Sequence, residues 1–434
     1  MSGRQKQGIA EIINGFFDGG LPIRISAYDG SVAGDASSPY GIRILNRRGL
    51  SYILTASGDL GLARAYVSGD LELEGTHPGD PYPLLRLIVG NTDFARPSVA
   101  ELASIVRALG LGSFVPPRPP DHEHLPVWRT AVEGARAAGV RAFRRHTHER
   151  DAEAIHHHYD VSNTFYEHVL GPSMAYTCAV FPTEDATLEE AQAEKFDLIC
   201  RKLDLKPGMR LLDVGCGWGS MVRHAAKHYG VKALGVTLSR EQANWAAEAI
   251  KADRLDDLAE VRFSDYRHVV ERDFDAISSI GMTEHIGVRN YPSYFGFLHG
   301  LLKDGGRLLN HTITRNDNTN NGPAGAFIDR YVFPDGELAG SGTVVVTGED
   351  AGFELQHHEN FRLHYAKTLA GWNKNLVDNW DACVAETDLG TAKVWGLYIA
   401  GSRVGFEHNE IQLHHTLFTK TVGGVSGYPL RHTF

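Results

Sequence analysis

Several features that define other classes of protein are missing from this chain of 434 residues. No stretch approaches the roughly 20 consecutive apolar residues of a membrane-spanning helix. Polar residues interrupt the opening segment, MSGRQKQGIAEIINGFF, so we do not expect a secretory signal. The four cysteines (Cys178, Cys200, Cys216 and Cys383) lack CxxC spacing, which argues against a zinc knuckle or a disulfide framework. We therefore expect a cytosolic protein with reduced thiols.

Positive charge is scarce as well. The chain has 43 Lys and Arg against 53 Asp and Glu, a net charge of −10, whereas nucleic-acid recognition requires a basic face. We expect no nucleic-acid partner. The local exception is WRTAVEGARAAGVRAFRRHTHER (128–150), which holds six arginines and two glutamates. It is either a solvated helix face or a basic amphipathic surface that contacts anionic lipid at the inner face of the cell membrane.

The hydrophobic pattern and the proline content divide the chain into three regions. Residues 1–114 carry short alternating runs that predict a small α+β domain, which we expect to associate with lipid or membrane. Residues 115–150 hold a proline-rich linker and the basic helix. Residues 151–434 alternate strands with helices, a pattern that predicts an α/β domain with a parallel sheet covered on both faces. The ligand site of such a sheet lies beyond the carboxyl ends of its strands.

The α/β pattern is clearest between residues 210 and 315. RLLDVG (210–215) predicts a buried strand, and the helix that follows should end at Gly230. KALGVTL (232–238) predicts a second strand. Ser239 should cap the next helix, with Gln242 completing a capping box. EVRFSD, FDAISSIG and GRLLNHTIT predict the further strands.

The segment LLDVGCGWGS places Gly215 and Gly217 directly after the first of these strands, two residues beyond Asp213. Glycine permits a tight turn and close approach of the main chain to a ligand. Such a turn could bind S-adenosylmethionine (SAM) or a nicotinamide dinucleotide, or it could be a structural turn that binds no ligand. The second strand ends in GVTLS rather than in an acidic residue for ribose hydroxyls, which argues against the dinucleotide. Asp265 and Tyr266, after the third strand, suit an adenine pocket, so SAM is favoured.

Seven motifs between Ile155 and Thr419 resemble those of the cyclopropane fatty acid synthase family, which includes the mycolic acid cyclopropane synthases and their methyltransferase relatives. In order, they are HHYDVSNTFY, MAYTCAVFP, LDVGCGWGS, GVTLSREQ, SIGMTEHIG, LNHTIT and LHYAKTLAGW. The resemblance implies a Rossmann-like, class I SAM-dependent methyltransferase sheet with helical lid elements and a smaller N-terminal α+β domain. Residues 151–434 are then the catalytic domain.

The family's cofactor contacts carry over motif by motif. They fall on Tyr176, Thr177, Gly215, Gly217, Thr237, Leu238, Gln242 and Tyr266. Relatives commonly have serine in place of Thr177 and tryptophan in place of Tyr266. Because a hydroxyl and an aromatic face remain at these positions, the resemblance still implies a SAM site, to which our own interpretation adds Asp213 and Asp265.

The resemblance also implies the chemistry. A cis double bond in an acyl chain attacks the methyl of the sulfonium, and relatives hold a bicarbonate ion as the base that removes a proton from the resulting carbocation. The matched contacts of this ion are Cys178, Glu284, His311, Ile313 and Tyr365. A small anion in an apolar pocket needs several directed donors, because an unpaired buried charge is costly. Glu284 should therefore stay protonated or act through His311.

Each of these side chains has a purely structural alternative. Cys178 could be a small buried apolar residue, Glu284 a helix cap, His311 a hydrogen-bonded core histidine and Tyr365 a core aromatic. Four aromatic residues of the later helices either line a dry tunnel that excludes water from the cation or simply fill the core: Trp372, Trp395, Tyr398 and Phe406.

The sequence leaves the product open. Loss of a proton from the new methyl closes a cyclopropane, whereas loss after a hydride shift gives a methylene branch. GPSMAYTCAVFP and TEHIGVRNY are most similar to an actinobacterial branch that makes 10-methylene chains from oleoyl phospholipid, which a separate reductase saturates. We predict that outcome, with a cyclopropane as the alternative and a homo-oligomer as an assembly to test. More remote alternatives are a small-molecule O- or N-methyltransferase and an inactive lipid-binding protein.

Three consecutive histidines at 156–158 first suggest a metal site or a tag. Adjacent helical residues diverge by about 100°, so three neighbours cannot all reach one ion, and the triplet lies too far inside the chain for a tag. Because it belongs to the first family motif, we expect it over the cofactor, with Tyr159 and Asp160 making the contacts. We predict no metal site.

Overall fold

The computed structural model describes residues 7–56, 58–90, 98–123, 161–319, 322–323, 325–334 and 336–434. These residues form two compact units. Unit 1 takes the described residues of Met1–Arg141, Gly325–Val332 and Leu376–Val404, and unit 2 takes those of Ala142–Ala324, Phe333–Asn375 and Gly405–Phe434. The histidine triplet, Tyr159, Asp160 and the basic segment 128–150 lie outside the described residues. The boundaries between the three predicted regions stay predictions.

Unit 1 is built on a small sheet. Its strands are β1 Arg24–Ala27, β2 Val32–Gly34, β3 Gly41–Ile44 and β4 Leu71–Glu74, in the order β2-β1-β3-β4. β1 and β2 form an antiparallel hairpin, and β3 runs parallel to β1. Helices in this unit include Ile9–Asn14, Arg47–Thr55, Asp59–Val67, Tyr82–Ile88, Val99–Leu109, Ala326–Tyr331 and Trp380–Glu386, together with most of Leu389–Glu407.

The described part of the proline-rich segment belongs to unit 1 and is hydrogen-bonded to helices of that unit. Residues 115–123 form neither helix nor strand. The Tyr52 hydroxyl donates to the carbonyl of Arg118 at 2.5 Å, and both carboxylate oxygens of Glu123 accept hydrogen bonds from the Arg64 guanidinium at 2.6 Å. Glu123 is buried, so this segment is fixed rather than extended into solvent.

Unit 2 contains the predicted α/β sheet. Its strands are β5 Arg210–Val214, β6 Lys232–Thr237, β7 Ala259–Phe263, β8 Phe274–Ile280 and β9 Leu302–Arg315, then the short pair β10 Gly322–Pro323 and β11 Glu337–Leu338, and finally β12 Phe353–Asn360 and β13 Ile411–Lys420. The large sheet has the order β12-β13-β9-β8-β5-β6-β7. β5 to β9 run parallel, and β13 is antiparallel to both neighbours. The predicted α/β class is confirmed.

Helices cover both faces of this sheet. They include Asn163–Leu170, Leu188–Leu203, Ser220–Tyr229, Arg240–Ala252, Thr283–Ile286, Tyr291–Leu301, Ser341–Asp350 and Arg362–Asp378. Adjacent strand residues point to opposite faces, so Leu211 and Leu212 enter two different cores, one that includes residues of Leu188–Leu203 and one that includes residues of Tyr291–Leu301. Within the described part of the chain, no helix has the length and apolarity needed to cross a bilayer.

The predicted helix ends are mostly confirmed. Ser220–Tyr229 ends at Gly230, which has a left-handed φ of 63°, and the Ser239 hydroxyl accepts the N–H of Gln242 at 3.3 Å. The second half of the predicted capping box was wrong. The side chain of Gln242 turns toward β6 instead, where its Oε1 accepts a hydrogen bond from the Thr237 hydroxyl at 2.7 Å.

Candidate active site

The glycine turn after β5 leaves open space beside the main chain. Gly215 and Gly217 have left-handed φ angles of 74° and 53°, and the N–H of Gly215 donates to the carbonyl of Val236 in β6 at 3.0 Å. A Cβ at Gly215 would lie 2.9 Å from Sδ of Met282, whereas a Cβ at Gly217 would meet no described atom within 4 Å. The turn thus abuts the segment after β8 on one side and fits a ligand on the other.

Asp213 lies within β5, and its side chain is hydrogen-bonded to the neighbouring strand β8. Its carboxylate accepts a hydrogen bond from the Ser278 hydroxyl on β8 at 2.6 Å. Burial raises the pKa of Asp213 to about 6, and Ser278 and the charge of Lys195 oppose that rise. The described contacts of this carboxylate therefore support the sheet, and a direct cofactor contact stays a prediction.

The helix after β6 holds a buried donor close to the carboxyl end of that strand. Thr237 and Gln242 are buried and hydrogen-bonded to each other, and Leu238 between them is half-buried. Nε2 of Gln242 has no hydrogen-bond partner among the described residues. A buried amide donor without a hydrogen bond costs free energy, so this atom is suited to the edge of a ligand site.

Asp265 and Tyr266 follow β7, and the first of them is already engaged. Both carboxylate oxygens of Asp265 accept hydrogen bonds from the Arg267 guanidinium. Burial acts to raise the pKa of Asp265, but the bonds from Arg267 outweigh it and hold that pKa below its usual range. The ring of Tyr266 meets Tyr294 edge to face, 5.2 Å between centroids. An adenine amine would have to share Asp265 with Arg267, which the sequence did not indicate.

Tyr176, Thr177 and Cys178 lie in the segment before the helix Leu188–Leu203. The Tyr176 ring lies 5.4 Å from that of Trp372. The Thr177 hydroxyl accepts a hydrogen bond from Nζ of Lys195 at 2.7 Å. Cys178 is fully buried, and burial raises the pKa of its thiol, with only partial opposition from Lys195. Cys178 therefore remains a neutral thiol, and its Sγ donates weakly to the carbonyls of Ala179 at 3.2 Å and Phe361 at 3.9 Å.

Glu284 is in the short helix Thr283–Ile286, directly after β8. Its Oε1 accepts the main-chain N–H of Ile313 in β9 at 2.7 Å, and its Oε2 has no hydrogen-bond partner among the described residues. Burial raises the pKa of Glu284 to about 7, although the bond from Ile313 opposes this. The carboxyl group is not a helix cap, and its pKa lies where proton transfer near neutral pH is most effective.

His311 is two residues before Ile313 on β9, so both side chains lie on the same face of the strand. Its Nδ1 is 2.8 Å from Nε2 of His415 on β13. Its Nε2 is buried and has no hydrogen-bond partner within the described part of the chain. Burial lowers the pKa of His311 well below its usual value, and the charges of Lys195 and Lys202 add to this. The ring is therefore neutral.

Tyr365, in the helix Arg362–Asp378, is buried among aromatic rings. It stacks on Phe406 at 4.5 Å and meets Trp372 edge to face at 6.1 Å. The other two predicted tunnel residues, Trp395 and Tyr398, belong to unit 1 and contact each other at 5.7 Å. Unit 2 thus brings Tyr365 together with two of the four predicted tunnel residues, Trp372 and Phe406.

Sequence reasoning missed the buried lysines of Leu188–Leu203. Lys195 and Lys202 are each fully buried. Burial lowers the pKa of Lys195 to about 7. A signal was present, because the two lysines are seven residues apart and share the helix face of the buried residues Ala191 and Ile199. Lysine at helical spacing within an apolar stripe indicates a buried amine with a function or a partner.

Comparison with known proteins places the chain among lipid-modifying enzymes. The family model described as mycolic acid cyclopropane synthetase matches residues 146–416. A probable fatty acid methyltransferase of Mycobacterium tuberculosis is 56% identical over 425 residues, 98% of this chain and 97% of that protein. The cyclopropane-fatty-acyl-phospholipid synthase of Escherichia coli K12 is 34% identical over 288 residues, 66% of this chain and 73% of that enzyme. A cyclopropane synthase structure from M. tuberculosis aligns with a TM-score of 0.57 at 32% identity, covering 62% of this chain and 97% of that chain.

The sheet order and the glycine turn at the end of β5 define a class I SAM-dependent methyltransferase fold, which the matched structures share. Within that class the chain belongs to the mycolic acid cyclopropane synthetase family, whose model spans more than half of it. The predicted family and enzyme class are thereby confirmed. The individual site residues stay predictions.

Proposed function

We propose that this enzyme transfers a methyl group from SAM to the cis double bond of an unsaturated phospholipid acyl chain, such as oleoyl, and yields a 10-methylene branch. The observation that carries the proposal is the pair of unpartnered buried atoms, Oε2 of Glu284 and Nε2 of His311, beside β9. Glu284 belongs to the segment that starts at Met282, which the glycine turn abuts. A cofactor at the glycine turn would therefore lie near the same edge of the sheet as Glu284.

The relatives support the substrate class. One is named a fatty acid methyltransferase and another a cyclopropane-fatty-acyl-phospholipid synthase. A matched structure is that of a mycolic acid cyclopropane synthase complexed with SAH and CTAB. An acyl substrate also agrees with the aromatic residues Tyr365, Trp372 and Phe406 around the site.

Bound SAM supplies a sulfonium methyl group to the reaction. The open main chain at Gly217 and the unpartnered amide of Gln242 would hold that cofactor, with Tyr176 and Thr177 closing over it. The π electrons of the double bond form the new C–C bond as the C–S bond breaks, which leaves a cation on the acyl chain. Apolar side chains around Tyr365 would keep out water, which would otherwise trap that cation as an alcohol.

The cation must then lose a proton. Bicarbonate, when bound, would supply a base, and a neutral Glu284 carboxyl and the ring of His311 are donors that fit a small anion. The Cys178 thiol would have to turn from the carbonyls of Ala179 and Phe361 to join them. The N–H of Ile313 already donates to Glu284, so we assign Ile313 the role of orienting that carboxyl. Without such donors a buried anion would be too costly.

A cyclopropane is the second candidate product, because the Escherichia coli relative and a matched structure from M. tuberculosis carry that name. Ring closure and methylene formation begin from the same cation and differ in whether a hydride shifts before the proton leaves. Peripheral contact with the membrane through the N-terminal region, a reductase that saturates the methylene, and a homo-oligomer belong to the proposal as partners to be tested.

The test is mass spectrometry of phospholipid acyl chains from cells that express the protein, with and without a methyl donor labelled in the methyl group. We expect unsaturated chains to gain one labelled CH₂ unit, and ozonolysis to cleave a methylene but not a ring. Label in headgroups or small molecules would favour an O- or N-methyltransferase. Absence of label in any product would leave only an inactive lipid-binding protein.

A further inference from the structure

A row of ionisable side chains crosses unit 2 from its surface to the candidate active site. Glu359 on β12 is directly opposite His415 on β13, and His415 is directly opposite His311 on β9. Side chains at opposed positions of neighbouring strands share one face of the sheet. The Glu359 side chain is 41% exposed, whereas both histidines are buried. The row therefore connects solvent to His311, a residue of the predicted site.

Lys202 completes this row from the helix Leu188–Leu203. Its Nζ donates to Oε2 of Glu359 at 2.6 Å and lies 3.3 Å from Nδ1 of His415. Nε2 of His415 in turn lies 2.8 Å from Nδ1 of His311. The hydrogen bonds thus run without a break from the carboxylate of Glu359 to His311.

The donors and acceptors along this row can be assigned in only one way when Lys202 is charged. An ammonium group has three donors and no acceptor, so Nδ1 of His415 must accept from Lys202. A neutral His415 then carries its proton on Nε2 and donates it to Nδ1 of His311. A neutral His311 is left with its proton on Nε2, the atom without a described partner.

The surroundings favour these charge states. Burial lowers the pKa values of His311 and His415 well below the usual range, so both rings are neutral. Burial also lowers the pKa of Lys202, but the carboxylate of Glu359 acts to raise it. The rings of Phe361 and Phe434 lie 5.1 and 5.6 Å from Nζ and offer further stabilisation to a cation.

We propose that Lys202 and His415 are positioning residues that fix His311 in the tautomer with its proton on Nε2, so that His311 acts in the site as a hydrogen-bond donor and not as a proton acceptor. The tautomer follows from the contacts of this chain alone. The effect of this tautomer on turnover rests on the proposed function. In that function, Nε2–H of His311 would donate to a bound anion, and Glu284 would be the protein group that titrates.

The direct test is nitrogen NMR of the full-length protein labelled with ¹⁵N-histidine. Long-range ¹H–¹⁵N correlations distinguish the two neutral tautomers and the charged ring. Spectra of His311→Asn and His415→Asn identify which signals disappear. We expect both rings to carry their proton on Nε2, and we expect Lys202→Met to shift His415 and His311 toward the other tautomer. A wild-type His311 that is charged, or protonated on Nδ1, would overturn the proposal.

The second test measures turnover with labelled SAM and vesicles of dioleoyl phospholipid. Lys202→Met should lower kcat by about 10- to 100-fold, by analogy with the loss of a partner behind a metal-ligating histidine, with KM for SAM unchanged. Lys202→Arg retains the charge and should restore most of kcat. Lys206→Met, which changes an exposed lysine in the same region, should leave kcat unaltered.

Full turnover in Lys202→Met, together with wild-type histidine signals, would contradict the assigned role. The wild-type spectrum requires no Lys202 variant, so the tautomer remains testable even if Lys202→Met does not fold. If the wild-type enzyme methylates no lipid, the proposed function fails while the spectra still decide the tautomer. The two failures are therefore distinguishable.

Discussion

Burial shifts the pKa values of several ionisable side chains in unit 2 toward neutral pH. It raises the pKa of Glu284 to about 7 and that of Asp213 to about 6, and it lowers the pKa of Lys195 to about 7. Desolvation penalises the charged form of an acid and of an amine alike. Groups with such pKa values can exchange a proton near neutral pH.

Glu284→Gln should lower turnover about 100-fold, because the amide cannot exchange the proton that the carboxyl group can. Affinity for SAM should stay near normal, since the change preserves shape and an acceptor for the N–H of Ile313. Single-turnover assays and calorimetry measure the two effects. Glu260→Gln, at an exposed carboxylate, is the control. Unchanged turnover in Glu284→Gln would remove the role assigned to this residue.

Glu284 should also make stability depend on pH. Its pKa is raised on folding from about 4.5 to about 7, so its contribution is fully present below the unfolded pKa and is lost as pH rises through the folded one. Relative to Glu284→Gln, the wild-type free energy of unfolding should fall by about 3 kcal/mol between these pH values. Urea unfolding across this range measures the difference, and parallel pH profiles would contradict the prediction.

At the scale of elements, the junctions after parallel strands position the site. The turn after β5 holds Gly217, the helix after β6 holds Gln242, and the helix after β8 holds Glu284. All three follow carboxyl ends of strands, where the ligand site of an open α/β sheet is expected. The adjacent helix Leu188–Leu203 adds the buried Lys195 and Lys202, which bind residues of other elements.

Gly217→Ala should weaken binding of S-adenosylhomocysteine about tenfold, because the new methyl group enters the open space beside the turn. The left-handed φ of 53° should add a stability loss of about 1 kcal/mol. Gly208→Ala is a matched control, since Gly208 has a φ of 84°, equal open space and a place before β5. Equal loss of affinity in both variants, measured by calorimetry, would argue against a cofactor at the turn.

At the scale of the whole molecule, unit 1 is assembled from three separate stretches of chain. Glu123 joins two of them, because its buried carboxylate binds Arg64 at 2.6 Å and lies 3.7 Å from Arg330. Residues from the helix Leu389–Glu407 add apolar contacts, for example Ala400 and Val404 beside Tyr82. The stability of this unit therefore depends on residues far apart in sequence.

Glu123→Ala should lower the free energy of unfolding by about 3 kcal/mol, because it leaves the largely buried guanidinium of Arg64 without its partner. Chemical denaturation measures the loss. Arg118→Ala removes an exposed ion pair with Asp121 and should change stability by less than about 1 kcal/mol. Equal effects of the two substitutions would show that burial of the Glu123 pair contributes nothing.

Local sequence determined β5 to β9, the helix boundaries at Gly230 and Ser239 and the glycine turn, since these depend on periodicity, capping and backbone freedom within a few residues. Resemblance supplied the family and the candidate residues Glu284 and His311. Tertiary structure decided that Asp265 is engaged by Arg267, that Gln242 binds Thr237, and that segments 325–332 and 376–404 join unit 1. It alone placed Glu359, His415 and His311 in one row beneath Lys202, because strand register and helix packing bring together residues more than 200 positions apart.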